Sequence, residues 1–254
     1  MLDLLALIDA QVEDPATVAG YPATMRRLHN GETLFHEGAP ATSIYFVRAG
    51  TFKIFATAED GYEQVVAFAL RTDLLGFDAL CMDQHPTAAV ALEESSVYGI
   101  PVRDLFALNQ RIPALDRQIH RANSLALAHS LELADVMAAV SAEVRLARFL
   151  AQWSRRMSGF GLSPRRFHLR MSRRDIASYL GVAHETVSRS FSTLQNWGLL
   201  EVTNRDVEIV DLQALMRLAR STRKTLDEHE APRQAVSLDH RHHPPRPAAN
   251  CPSA

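Results

Sequence analysis

The sequence predicts an α+β chain: an N-terminal antiparallel β-barrel, a long dimerisation helix and a C-terminal winged helix-turn-helix. Three observations predict it. Short runs rich in β-branched and aromatic residues fill positions 20 to 108, and a stretch nearly free of Gly and Pro follows from 112 to 156. Two short helical patterns joined at a Gly, then two strand patterns, occupy 163 to 211. The boundaries that follow are 1–110 for the barrel, 111–156 for the long helix and hinge, 157–224 for the winged helix-turn-helix and 225–254 for a tail.

Each element has its own signal. "MLDLLALIDA" carries Asp3 and Asp9 and lacks a basic leader, so it reads as an amphipathic helix. "TSIYFVRAG", "TFKIFATAEDGYEQVVAFAL" and "TAAVALEESSVYGIPV" are strand runs. Asp60-Gly61 between two of them predicts a type I′ hairpin, whose central residues both need positive φ. The helical stretch is apolar on more than one side. One register places Leu115, Ile119, Ala122, Ala126, Leu133, Val136 and Val140 on a seam, and another places Leu127, Ala134 and Met137 there. Such a helix can pack on its own barrel and against a second copy. In "MSRRDIASYLG", Ser172 is the expected N-cap, Asp175 sits at N3 and Gly181 ends the helix. A second helix runs from about His184 to Gly198, and "LLEVTNRDVEIVD" reads as strand, polar turn, strand. The Pro- and His-rich text from 225 is expected to be disordered.

The net charge of −2 conceals an asymmetry. Residues 1 to 140 hold 9 Lys and Arg against 18 Asp and Glu, whereas residues 141 to 224 hold 15 against 7. A basic module joined to an acidic one points to a polyanionic partner.

In the second helix, Glu185, Ser188, Arg189 and Ser192 fall at i, i+3, i+4 and i+7 on one face, with Val187, Phe191 and Leu194 on the other. A helix-turn-helix lays this helix in the major groove of double-stranded DNA. Arg189 can pair bidentately with guanine O6 and N7, Glu185 can accept from cytosine N4 or adenine N6, and Ser188 can hydrogen-bond or touch a thymine methyl. An acid facing a phosphate-rich groove is repelled unless it meets a base donor. The competing explanation for Glu185 is the helix dipole alone. Arg170, Arg173, Arg174 and His184 are placed for phosphates, which position without reading sequence.

"MSRRDIASYLGVAHETVSRSF" resembles the recognition segment of the Crp/Fnr family of bacterial transcription regulators. "LLGFDAL", "HPTAAVALEESSVYGIP" and "LSPRRFHLRMSRRDI" resemble its Fnr branch. The likeness spans roughly residues 20 to 220. It implies a cyclic-nucleotide-binding-like sensor domain, a dimerisation helix and a homodimer on a palindrome of TTGAT-like half-sites. The E-x-x-S-R pattern of that branch falls on Glu185, Ser188 and Arg189. The same resemblance implies that the hairpin tip Glu59, Asp60, Gly61, Tyr62 and Glu63 touches RNA polymerase, as in an activator. Ala183 departs from the family, where a hydroxyl N-cap is usual.

The resemblance also raises the question of a signal. Members that bind a cyclic nucleotide supply an Arg for the phosphate and a Glu for the ribose. Here Thr72 to Val102 holds no Lys or Arg, with Thr87-Ala88 and Asp78 at the corresponding places. A buried phosphate without a cation is heavily penalised, so cyclic-nucleotide binding is not expected. The Fnr branch often holds an iron-sulfur cluster on four Cys thiolates. This chain has Cys81 and Cys251 alone, and Tyr98 stands where a downstream ligand belongs, so no cluster and no other cofactor is expected. The alternatives are haem or nitric-oxide sensing through His29, His36 or His85, and a redox switch at Cys81. The "HRHH" tail lacks defined metal-binding geometry.

No G-x-S-x-G, H-E-x-x-H, C-x-x-C or P-loop motif occurs, which argues against an enzyme. No apolar run is long enough to span a membrane, and the two distant cysteines suit a reducing, cytoplasmic setting. The reading of another class is an architectural protein that binds any duplex alike.

Overall fold

The computed structural model describes residues 1–9, 15–18, 20–21, 23–138 and 141–221. The expected tail 225–254 and Val140 of the seam lie outside the described residues. After helix α1 (Leu2–Leu7), eight strands follow: β1 (Thr24–Leu28), β2 (Thr33–Phe35), β3 (Ser43–Ala49), β4 (Phe52–Thr57), β5 (Glu63–Ala69), β6 (Leu74–Leu75), β7 (Ala88–Ala91) and β8 (Ser95–Pro101). They form two four-stranded antiparallel sheets, ordered β1-β8-β3-β6 and β2-β7-β4-β5. The sheets are not closed into a barrel, which corrects that detail of the expected fold. Between them Leu28, Val47, Phe52, Ala89, Ala91 and Val97 form a dry layer. A fully buried side chain the size of Phe52 contributes about 1.5–3 kcal/mol.

The hairpin also differs from expectation. β4 and β5 are joined by residues 58 to 62, and Gly61 alone of these has positive φ, at 83°. Asp60 keeps negative φ and its carboxylate accepts from the Tyr62 N–H at 3.0 Å. An aspartate-stabilised turn thus replaces the type I′ geometry.

Helices α2 (Val102–Arg111) and α3 (Pro113–Ala138) close the outer face of the first sheet, with Leu4, Ile44, Ile100, Leu108, Leu115 and Ile119 in the layer between. The continuous helix expected over 112 to 156 is two helices. A new helix, α4 (Ala142–Gly159), starts at Ser141, whose Oγ accepts from the Val144 N–H at 3.3 Å. The absence of Gly and Pro suggested continuity, yet a Ser N-cap suffices to restart a helix.

This break sorts the expected dimer seam. Ile119 is buried against its own sheet and Val136 joins the C-terminal core, so neither faces a second chain. Ala122, Ala126, Leu133, Ala134 and Met137 border a cavity against the sheets. Leu127 stands in solvent, together with Leu131, which the two registers omitted; each is 66% exposed.

The remaining elements are β9 (Arg166–His168), α5 (Arg173–Leu180), α6 (His184–Asn196), β10 (Leu200–Thr203), β11 (Asp206–Ile209) and α7 (Leu212–Ala219). The wing is three-stranded, ordered β10-β11-β9. α4 buries Leu146, Phe149, Leu150 and Trp153 against Ile176, Phe191 and Leu215, and the same core reaches Phe55, Val65 and Phe68 on the second sheet. No described helix is long and apolar enough to cross a membrane.

Candidate DNA-binding interface

The first helix of the pair is fixed by a complete capping box. The Asp175 N–H donates to Ser172 Oγ at 3.1 Å, and the Ser172 N–H donates to Asp175 Oδ2 at 2.8 Å. Gly181 ends it at φ 61°, in the left-handed region. A Cβ there would lie 2.3 Å from Met137 Cε, the free end of a flexible side chain that can move aside, so it is the left-handed backbone that calls for Gly. Ala183 is the N-cap of α6 and offers no side-chain acceptor.

α6 buries Val187, Ser190, Phe191 and Leu194 and turns His184, Glu185, Ser188, Arg189 and Ser192 to solvent. The hydroxyls of Ser188 and Ser192 donate to the carbonyls of His184 and Ser188, each at 3.3 Å, leaving their lone pairs outward. The Glu185 carboxyl is held below its ordinary range, first by its own backbone N–H at the helix start and then by His184, whose Nδ1 is 3.0 Å away. An ionised acceptor and an exposed guanidinium therefore stand one turn apart on a rigid helix.

The flanking cations divide. Arg174 is exposed. Arg173 lies over the Phe191 ring at 3.5 Å and donates to the Asn204 carbonyl at 3.0 Å. Burial and the neighbouring Arg205 lower its pKa to about 10, so it remains charged at neutral pH. Its guanidinium ties the first helix to the recognition helix and to the wing turn, where Asn204 has φ 58°. The guanidinium of Arg170, expected at phosphate, meets Glu93 instead, at 2.9 Å. Arg205 at the wing tip is exposed and escaped the sequence analysis, although "TNRD" was read as a polar turn.

The helix pair also docks on the N-terminal domain. Ser178 Oγ accepts from the Val65 N–H at 2.8 Å and donates to the Glu63 carbonyl at 2.7 Å, while Gln64 Nε2 donates to the Ser178 carbonyl at 2.7 Å. Lys53 bridges Glu63 at 2.7 Å and Asp175 at 3.3 Å. In the hairpin tip, Glu59, Asp60, Gly61 and Tyr62 stay exposed, whereas Glu63 is held by Lys53.

A cavity of about 610 Å³ separates the sheets from α3. Its sheet wall is apolar except for Thr72, Asp73, Asp78 and Thr87, and the Thr87 hydroxyl donates to Asp78 at 3.1 Å. The basic side chains come from α3, as Arg121 and His129. The sheet wall thus offers a bound phosphate Asp78 and Thr87 and no cation, and the guanidinium in the lining is that of Arg121 on α3. Of the haem-ligand candidates, His29 is bonded to Glu94 at 3.0 Å and His36 is exposed. His85 is buried, stacked on Phe35 at 4.0 Å, with its Nδ1 unpartnered. Cys81 reaches the surface. Among the described residues no group of three or more His, Cys, Asp or Glu could hold a metal ion.

The Cyclic nucleotide-binding domain family matches residues 25–111, and the Crp-like helix-turn-helix domain family matches residues 144–218. The anaerobic regulatory protein of Pasteurella multocida is 40% identical over 199 residues, covering 78% of this chain and 73% of that protein. The fumarate and nitrate reduction regulatory protein of Escherichia coli K12 is 39% identical over 196 residues, covering 77% and 78%. Among solved structures, FixK2 from Bradyrhizobium japonicum superposes with a TM-score of 0.68 at 26% identity, over 79% of this chain and 99% of that one. CooA from Carboxydothermus hydrogenoformans, a mutant, shares the fold with a TM-score of 0.67 at 20% identity, over 86% and 94%. With a helix-turn-helix whose polar face is open, a sensor-type sheet domain and relatives that are regulators rather than enzymes, the chain belongs to the Crp/Fnr family of DNA-binding transcription regulators.

Proposed function

We propose that the chain binds DNA as a two-fold dimer on a palindrome of TTGAT-like half-sites and activates transcription through RNA polymerase. Arg189 reads the guanine, Glu185 accepts from the cytosine or adenine amino group, and Ser188 completes the contact. The observation that carries this reading is the outward face of α6, where an ionised Glu185 stands beside an exposed Arg189. A non-specific architectural binder has no use for an acid there. Arg174, His184 and Ser192 flank the reading face, with Arg174 directed to phosphate. Leu127 and Leu131 of α3 support pairing with a second copy, and the exposed tip from Glu59 to Tyr62 supports contact with polymerase.

The regulator works without cyclic nucleotide and without an iron-sulfur cluster. Asp78 and Thr87 on the sheet wall disfavour a phosphate, and Cys81 and Cys251 supply two of the four thiolates a cluster needs.

Fluorescence anisotropy tests the proposal, using the purified protein in air with nothing added. The duplexes are TTGAT-N4-ATCAA and the same site with both G·C pairs changed. Tight binding that weakens on the altered site is expected. Equal affinity for both duplexes would overturn the assignment of Glu185, Ser188 and Arg189.

A further inference from the structure

We propose that Glu93 competes with DNA phosphate for Arg170, so that the sheet domain holds back one cation of the DNA-binding module. The proposal rests on the DNA-binding reading above but not on any particular half-site. Glu93 lies in the turn between β7 and β8, and Arg170 lies between β9 and α5. Their ion pair, 2.9 Å from Nε to Oε2, therefore joins the two domains.

The acid is built into its place. The hydroxyl of the buried Thr51 donates to Glu93 Oε1 at 2.7 Å, and the Ser95 hydroxyl donates to the Glu93 carbonyl at 2.8 Å. The Leu92 N–H donates to the Thr51 carbonyl at 2.8 Å, and a Cβ on Gly50 would lie 2.8 Å from the Ser95 backbone at Cα. The turn that carries Glu93 is thus pressed against the turn between β3 and β4, and its carboxylate is held without help from Arg170. An acceptor fixed in advance loses less freedom on pairing than a mobile side chain does.

Arg170 belongs by its backbone to the DNA-binding module. Its neighbours Leu169 and Met171 are buried, which turns its own side chain outward. Its carbonyl accepts from Arg205 Nη1 at 3.1 Å, and the Leu169 N–H donates to the Arg205 carbonyl at 2.9 Å, so the wing tip is bonded to this segment. The adjacent wing residue, Asn204, accepts from Arg173, and Arg174 is exposed at the start of α5. Arg170 thus stands with Arg173, Arg174 and Arg205 around the helix that crosses the DNA backbone in a helix-turn-helix. Its guanidinium is nevertheless drawn to the other domain.

The pair suits exchange better than it suits stability. Its side chains are 45% and 27% exposed, and so open an ion pair contributes little to folding. Glu93 gives one oxygen to Thr51 and offers Arg170 the other, whereas a phosphate can meet a guanidinium through two parallel hydrogen bonds. Arg170 can take a phosphate once the two segments part, and Glu93 prevents it while they stay in contact.

Fluorescence anisotropy of the full chain over a range of salt concentrations, on TTGAT-N4-ATCAA and on its altered form, tests the proposal. Glu93→Gln keeps an acceptor for Thr51 and the size of the side chain while removing the charge. For each copy bound it should raise affinity about five- to tenfold at about 0.1 M salt and steepen the slope of log affinity against log salt by about 0.9, as one added phosphate contact does. The gain should be equal on both duplexes, since a phosphate carries no sequence. It should disappear when Glu93→Gln is combined with Arg170→Ala. Glu94→Gln removes the same charge from the neighbouring residue, which pairs with His29, and should leave the slope unchanged. An unchanged slope in Glu93→Gln would overturn the proposal. So would a gain that survives the loss of Arg170 or an equal gain in Glu94→Gln, because net charge alone would then be the cause. Binding of neither duplex by any of the four proteins would overturn the DNA-binding reading itself, and this inference with it.

Discussion

The recognition helix and the cavity beneath α3 are built in opposite ways. On α6 every outward group belongs to one helix, and the buried face of that helix fixes where those groups stand. The cavity draws its walls from several strands and from α3, so Asp78 and Thr87 share one space with Arg121 only because distant segments pack. A surface on one helix keeps its geometry while its anchor holds. A cavity between elements changes whenever those elements shift.

The largest test of that contrast removes the anchor. Phe191→Ala deletes a buried ring and the surface on which Arg173 rests, and should cost about 3–5 kcal/mol in denaturant unfolding. A cost near zero would mean that α6 is not held as described. Next, Arg189→Ala should leave the fold intact and reduce discrimination for the half-site G·C pair by about 1–3 kcal/mol, read by anisotropy on the two duplexes. Ala183→Ser supplies the missing cap acceptor and should raise stability by about 1 kcal/mol in thermal unfolding.

The smaller effects separate residues that look alike. Arg174→Ala should weaken all duplexes equally and reduce the slope of log affinity against log salt by about one. Arg170→Ala should leave that slope nearly unchanged, because Glu93 already holds its guanidinium. His85 titrates below the ordinary histidine value because burial disfavours its charged form. The unfolded chain therefore binds more protons than the folded one at pH values just below 6.5, and stability should fall on acidification through that window. His85→Phe should flatten this part of the melting-temperature profile against pH. An unchanged profile would show that His85 is not the group responsible.

What could be read from the residues follows the same division. Ser172, Asp175 and Gly181 announce their helix within ten positions, and the amphipathic spacing of Glu185, Ser188 and Arg189 needs no tertiary information. The three-stranded wing was half legible, since Arg166–His168 is too short to carry a strand pattern and is strand because β11 pairs with it. The helix break at Ser141 was hidden by good helix formers on both sides. The fates of Arg170 and Arg173 were beyond reach, because Glu93 and Phe191 approach them through the fold. Ile119 shows the same limit, since periodicity marks an apolar face without saying which neighbour covers it.

Ser178 has a consequence for assembly. β5 is the edge of its sheet, and an open strand edge invites pairing with other chains. The Ser178 hydroxyl takes up both the Val65 N–H and the Glu63 carbonyl, so α5 acts as a cover for that edge. Swinging the helix pair away would leave those groups open to another strand. The contact that joins the two domains thus also guards the protein against edge-to-edge aggregation, and any state that frees the helix pair carries that hazard with it.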